Sequence, residues 1–483
     1  MTYAFKTNTN LFYSLKTKTM SHNNISFWVK SLPEHTAFNA NAQTFDAQVH
    51  QHFDVVIIGA GFTGLWLAYY LNQAQPHWNI AIFEAQQVAY GASGRNGGWL
   101  SPHMPGIVSK MLKAGISQEN IVFFQQQVTA TIAEVRQVCQ KENIDCDLHE
   151  GGLLTIAMNP AQATRLHKLK QHDHQFGYPQ DEIEYLNQTQ AQTHLNSNNV
   201  KAALLFKHGA RIQPAKLAFG LRDCLRTRGV KIFENSPVTA FGKQHVQVQG
   251  QKVSANYVVS CTEGYSDALL KNRKIIPVNS SIITTEVLPE AFWQRFGWTQ
   301  KYLLNDQSHQ FFYAQRTRDD RIVFGGRGAP YQFNSVDAGH GHLDNATIAQ
   351  LQHKLAAVFP EYPIAIAHAW KGSLGVTRDW CASVSLSPNT QVGHVYGFAG
   401  HGVAGTNLAA RHMATKVLQQ QSELERLPWN NFQNPTWETE PFRWIGIHSM
   451  YRMLGWADQI EYRKQQPQTT ALASIAYKIC GLN

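Results

Sequence analysis

A chain of 483 residues with 43% hydrophobic and 16% charged residues has apolar mass for two or three structural units and too little charge to stay unfolded. The net charge of +9 is spread without any Lys/Arg run, so no concentrated basic stripe for nucleic acid exists, only a mild attraction for an anionic cofactor or substrate. No stretch approaches the roughly 20 uninterrupted apolar residues of a membrane span.

Residues 1–50 read as an N-terminal extension. The first 19 contain three Lys and no acid, and lack the compact apolar block of a secretory signal, so a flexible leader is expected. Six cysteines, at 139, 146, 224, 261, 381 and 480, form no CxxC and no zinc-type set with His. Such thiols are expected to be buried and reduced, in a cytoplasmic protein without a metal site.

The first predicted unit opens at Phe53. The run Phe53-Asp54-Val55-Val56-Ile57-Ile58 is a short apolar strand of the kind buried in a parallel sheet. Gly59-Ala60-Gly61-Phe62-Thr63-Gly64 follows at once, then a helix through Leu71, then a second strand, Asn79-Ile80-Ala81-Ile82-Phe83-Glu84. In this context Gly59 permits a tight turn, Gly61 lets backbone approach a pyrophosphate, and Gly64 lets helix and strand pack closely. Glu84, twenty residues after Gly64, can bond an adenosine ribose. Gly59, Gly61, Phe62, Thr63, Gly64, Glu84 and Ala85 are therefore the first expected nucleotide contacts. The motif by itself does not separate FAD from NAD.

A helix is expected over 117–142, and strands over 152–158, 200–206 and 253–261. A helix from Pro214 leads to a strand at 229–233 that joins the first sheet. The runs 276–288 and 311–326 alternate in polarity, as antiparallel strands of a second sheet do. A strand at 394–398 leads into Gly400-His401-Gly402 and a long helix to about Gln420, followed by a Trp- and Met-rich helical tail. The expected fold is α/β: a discontinuous Rossmann-like domain (51–110, 195–270, 366–425), an inserted α+β substrate domain with an antiparallel sheet (111–194, 271–365), and a helical tail (426–483). Gly400-x-Gly402-x-x-Gly405 with Glu425 mimics a second dinucleotide motif, but one helix fills the interval. In the tail, Trp444, Ile447, Tyr451 and Leu454 form a helical stripe, expected to be core rather than membrane-facing.

Gly91-Ala92-Ser93-Gly94-Arg95-Asn96-Gly97-Gly98 resembles the loop after the second strand in the glycine/D-amino-acid oxidase superfamily, most of all its γ-glutamylputrescine oxidoreductase branch. The resemblance continues in Ile212-Gln213-Pro214-Ala215-Lys216-Leu217, Ser236-Pro237-Val238, Val258-Val259-Ser260-Cys261-Thr262-Glu263-Gly264-Tyr265, Arg321-Ile322-Val323-Phe324-Gly325-Gly326-Arg327, Trp370-Lys371-Gly372, Thr377-Arg378-Asp379 and Tyr396-Gly397-Phe398-Ala399-Gly400-His401-Gly402-Val403. Glu263 stands where the family usually has Asn, and Trp380 replaces the usual Pro. The resemblance implies FAD, with Ser93, Gly94, Arg95, Asn96, Gly97 and Gly98 beside pyrophosphate and flavin, and Val238 at the adenine. It places Cys261, Thr262 and Gly264 near the nucleotide, and Gly400, His401, Gly402 and Val403 at the isoalloxazine. His401 either carries a proton or simply packs by the ring.

The same resemblance implies oxidation of the C–N bond of a small amine or amino-acid-like substrate to an imine that hydrolyses, with flavin reoxidation by oxygen or another acceptor. FAD is expected to be noncovalent, because no attachment Cys lies near Ser373 and no His lies in Ser93-Gly94-Arg95. No catalytic acid or base is assigned. The rival readings are a flavin monooxygenase or other FAD oxidoreductase, and a flavin-binding sensor without turnover.

Overall fold

The computed structural model describes residues 26–33, 45–46, 52–326, 328, 331–335 and 341–480. The expectations for the leader at 1–19 and for Arg327 lie outside the described residues.

Val55, Val56, Ile57 and Ile58 are β-branched and buried on both faces, which suits the middle of a parallel sheet. Strand His52–Ile58 takes that place. The parallel strands run Lys231–Phe233, Ile80–Phe83, His52–Ile58, Gln251–Ser260, Val392–Tyr396 across the sheet. Numbered along the chain this order is 3-2-1-4-5, the dinucleotide-binding arrangement. Val55 and Ile57 face helices Phe62–Ala74, Pro214–Thr227 and Gly402–Val417. Val56 and Ile58 face Phe83, Phe233 and the hairpin of Val238–Gly242 and His245–Val248. Helix Gln118–Lys141, capped by Ser117, packs its apolar stripe into the same core as Gly402–Val417.

The second sheet runs Ile366–Thr377, Ile275–Thr285, Ile322–Gly326, Tyr313–Arg316, Leu303–Asp306, Leu153–Ala157, Ala202–Phe206, Ile183–Asn187. It is antiparallel apart from the parallel pair Leu303–Asp306 and Leu153–Ala157. Two segments differ from the expected boundaries. Ala202–Phe206 and Ile366–Thr377, expected with the nucleotide domain, pair in the second sheet. The run 311–326 is two strands, turned back at Asp320, which takes a left-handed φ of 57°.

Glu425 lies in the 3₁₀ turn Glu423–Arg426 and pairs with Lys416 at 2.9 Å. Helix Gly402–Val417 fills the interval before it, so the late glycine triplet opens no second nucleotide unit. In the tail, helix Phe442–Lys464 buries Ile447 and Leu454, with Trp444 and Tyr451 packed beside them, so the stripe is core. No helix among the described residues is long and apolar enough to cross a membrane.

Candidate active site

The site forms at the carboxyl ends of the parallel strands. Gly59 has φ 103°, and a Cβ there would stand 2.8 Å from the Cys261 carbonyl oxygen. A Cβ on Gly64 would lie 2.0 Å from the Gly59 carbonyl oxygen. Only glycine permits either approach. Helix Phe62–Ala74 therefore starts directly against the sheet, with its first N–H groups at the strand ends. The Ser93 hydroxyl accepts the Phe62 N–H at 2.7 Å, bringing the loop after the second strand to this helix terminus. Glu84, at the end of the second strand, accepts the Ala60 N–H at 2.8 Å and the Gln86 N–H at 2.9 Å, and burial raises its pKa. Ala85 follows it. Val238 begins the hairpin strand, buried behind Phe83 and Phe233.

Three consecutive carbonyls of the glycine-rich loop are held from behind. Ser26 Oγ donates to Gly94 O at 2.7 Å, Trp370 Nε1 to Arg95 O at 2.9 Å, and Trp28 Nε1 to Asn96 O at 2.7 Å. The Asn96 side chain closes the turn, donating to Ala92 O and Ser93 O and accepting the Gly98 N–H at 2.7 Å. Ser26 and Trp28 belong to the expected extension. Around them residues 26–30 form a capped helical turn with Trp28 and Val29 buried, and the indoles of Trp28 and Trp370 pack edge to face at 6.3 Å.

The other side of this loop faces a cavity. Arg95, Asn96 and Gly97 line it from the loop, and Gly400, His401 and Val403 from the start of helix Gly402–Val417. Trp99, Phe311, Tyr313 and Leu374 form an apolar wall from the second sheet side. Tyr313 explains two glycines. A Cβ on Gly97 or Gly325 would meet its ring at 2.4 Å or 2.1 Å, and its hydroxyl bonds Ser280 Oγ at 2.7 Å. The Arg95 guanidinium lies over the Tyr90 ring at 4.4 Å.

Glu263 holds the loop ahead of the helix. Its carboxylate accepts the Gly397 N–H at 2.9 Å and the Phe398 N–H at 3.1 Å, and burial pushes its pKa up to about 7. The change from the family's Asn thus lands on the loop leading to Gly400, rather than on an isolated surface turn. Cys261 and Thr262 lie between this residue and strand Gln251–Ser260, and Gly264 packs against the backbone of Ser373.

These features fit a dinucleotide carrying a flavin: a glycine-only turn under a helix N-terminus, an acid at the second strand's end, and a cavity fronted by a second helix N-terminus. The family described as FAD dependent oxidoreductase (DAO) matches residues 54–416. The chain belongs to it.

Among curated relatives of this FAD-dependent oxidoreductase, gamma-glutamylputrescine oxidoreductase of Escherichia coli is 28% identical over 371 residues, covering 75% of this chain and 82% of that one. A probable oxidoreductase OrdL of Haemophilus influenzae is also 28% identical, covering 76% and 83%. The solved glycine oxidase of Geobacillus kaustophilus superposes with a TM-score of 0.66 at 16% identity, over 79% of this chain and 99% of that one, which shows a shared fold.

Of the expected site residues, Arg95, Asn96, Gly97, Gly400, His401 and Val403 line the cavity, while Gly59, Gly64 and Glu84 lie at the strand-end turn and Val238 lies in the hairpin beside the sheet. Reasoning from sequence missed Ser26, Trp28, Ser280, Phe311, Tyr313 and the role of Glu263. The paired glycines at 97 and 325 were the one available signal for a bulky neighbour. Among the described residues, one trio has metal-ligand spacing, His309, Asp458 and Glu461. Its atoms are engaged: His309 bonds Tyr477 and Glu461, Asp458 accepts two backbone N–H groups, and Glu461 pairs with Arg165 at 2.9 Å. It latches the tail to the second sheet's loop.

Proposed function

We propose that this oxidoreductase removes two electrons from the C–N bond of a small amine, with a γ-glutamylated polyamine as the best-fitting substrate type. The observation that carries the reading is the cavity itself. It joins the expected flavin segments to an aromatic wall of Trp99, Phe311 and Tyr313. The 28% identity to gamma-glutamylputrescine oxidoreductase supports the substrate type.

Bound FAD supplies the two-electron acceptor. The cofactor contacts we assign are the residues expected from sequence. Gly59, Gly61, Phe62, Thr63 and Gly64 with Ser93 and Gly94 take the pyrophosphate; Glu84 and Ala85 the ribose; and Val238, Cys261, Thr262 and Gly264 the adenosine side. Arg95, Asn96, Gly97, Gly98, Gly400, His401, Gly402 and Val403 surround the ring.

The chain's own task is orientation and dryness. An ammonium group loses most of its hydration on entering an apolar cavity, so the wall selects the neutral amine, which is the oxidisable form. The Ser280–Tyr313 hydroxyl pair offers the amine a hydrogen bond without a charge. Once the substrate C–H bond is broken, the product imine hydrolyses in water without help from a side chain. The positive end of helix Gly402–Val417 and the Arg95 guanidinium favour negative charge in the cavity, which assists acceptance of electrons.

The test is anaerobic mixing of the holoenzyme with polyamines, γ-glutamylated amines and N-methyl amino acids, scored by loss of flavin absorbance. Rapid bleaching by amines supports the reading. Bleaching by none of the panel leaves a flavin-binding protein without amine turnover and overturns it.

A further inference from the structure

We propose that the cleft beside Arg211 binds a small oxyanion, a carboxylate or a phosphate, at a site separate from the flavin cavity.

Arg211 sits in the two-residue strand Ala210–Arg211, paired with Trp99–Leu100. It is 5% exposed, and the Nε of its guanidinium is buried with no hydrogen-bond partner among the described residues. Burial pulls its pKa below the ordinary guanidinium value. The acids around it are already engaged. Asp147 bonds Lys216 at 2.8 Å and Arg318 at 3.0 Å, and Asp145 bonds Arg318 at 2.9 Å. Asp320 pairs with Arg316 at 2.6 Å, and Asp319 with Arg321 at 2.9 Å. Lys301, also near, adds a further positive charge.

A buried charge without its counter-charge is strongly unfavourable, and a guanidinium fork matches the two oxygens of a carboxylate or phosphate. Space for the counter-ion is present. Arg211 lines a cleft of about 370 Å³ with Lys216, Arg318, Thr317, Gln213 and Ser31. Hydroxyl, amide and cationic groups thus surround the guanidinium, and Asp147 and Asp319 at the same cleft are committed to their own cations.

The cleft touches the flavin loop from the back. Ile212, next to Arg211, donates its N–H to Gly98 O at 2.8 Å. Gln315 Nε2 donates both to Ile212 O at 3.2 Å and to Gly97 O at 2.6 Å. An anion that fixes Arg211 therefore stiffens the loop from Gly97 to Gly98, and by linkage each ligand tightens the other.

The experiment melts the holoenzyme while chloride is replaced by inorganic phosphate or by acetate at constant ionic strength. It uses wild type, Arg211→Met and Arg211→Lys. Wild type is expected to show a saturable rise in Tm with one or both anions. Arg211→Met is expected to melt at or above wild type in chloride and to show no rise. Arg211→Lys, which keeps charge and loses the fork, is expected to need about tenfold more anion. A wild type that responds no better to either anion than to chloride overturns the site, whatever the variants do. Equal responses in wild type and the variants place the anion elsewhere and overturn it too.

Discussion

The indole N–H of Trp28 donates to the Asn96 carbonyl across 2.7 Å, from a residue with 2% of its surface exposed. A segment upstream of the first parallel strand thereby forms part of the support of the glycine-rich loop. Replacing Trp28 by Phe keeps a ring and removes the donor, leaving a buried carbonyl unpaired at a cost of about 1–3 kcal/mol. FAD affinity is expected to fall about tenfold, with a shifted flavin absorption band. Val29→Ala, which trims the same segment without touching the loop, is expected to leave the band in place. Fluorescence titration of apoprotein with FAD and the visible spectrum read both; an unshifted band and unchanged affinity in Trp28→Phe would remove this role.

Glu263 predicts a pH dependence. Its folded pKa of about 7 is raised above the ordinary 4.5. Protonation is therefore favoured by folding, and the resulting stability is fully present below pH 4.5 and lost as pH rises through 7. Glu263→Gln is expected to flatten that part of the curve. Melting of both apoproteins between pH 4.5 and 8 gives the difference directly, and parallel curves would show that Glu263 does not titrate in that window.

Glu84→Ala is expected to weaken FAD binding by about 1.5–3 kcal/mol, the worth of a charge-assisted hydrogen bond. The fold should persist, since strand Ile80–Phe83 ends before the residue. Equal FAD affinities in variant and parent would place the ribose elsewhere.

FAD is expected in the supernatant after acid precipitation. Burial raises the Cys261 thiol far above its usual range and the Cys381 thiol to about 12, so neither offers a thiolate to a flavin. Yellow colour retained in a washed pellet is the contrary result.

Arg95→Ala and His401→Ala should each slow anaerobic flavin reduction, and Arg95→Ala should lower the flavin potential, because both residues line the cavity proposed to hold the flavin. Parental rates and potentials in both variants would move the reacting centre out of this cavity.

The strand, turn and acid from Phe53 to Glu84 could be read from the sequence because every relation there is local: one strand, one turn, one helix, one strand. The support of the flavin loop could not. Ser26 and Trp28 stand 68 residues from the carbonyls they hold, and no periodicity links them. Glu263 drew notice as a departure, yet its partner Gly397 lies 134 residues further on. Ala202–Phe206 and Ile366–Thr377 read plainly as apolar strands, but which sheet claims a strand depends on its neighbours rather than on its own composition.

The first strand of the parallel sheet also sets an order of events during synthesis. A nascent chain that has emerged as far as Ser260 can pair Lys231–Phe233, Ile80–Phe83, His52–Ile58 and Gln251–Ser260. His245–Val248 covers the far edge of Gln251–Ser260 over Gln251–Ser254, but Val258–Ser260 stays uncovered on that side until Val392–Tyr396 leaves the ribosome. Throughout the translation of the intervening segment, an open row of amides and carbonyls is available to other chains. Slowed elongation between these two strands is therefore expected to lower soluble yield, and chaperones that shield strand edges are expected to restore it.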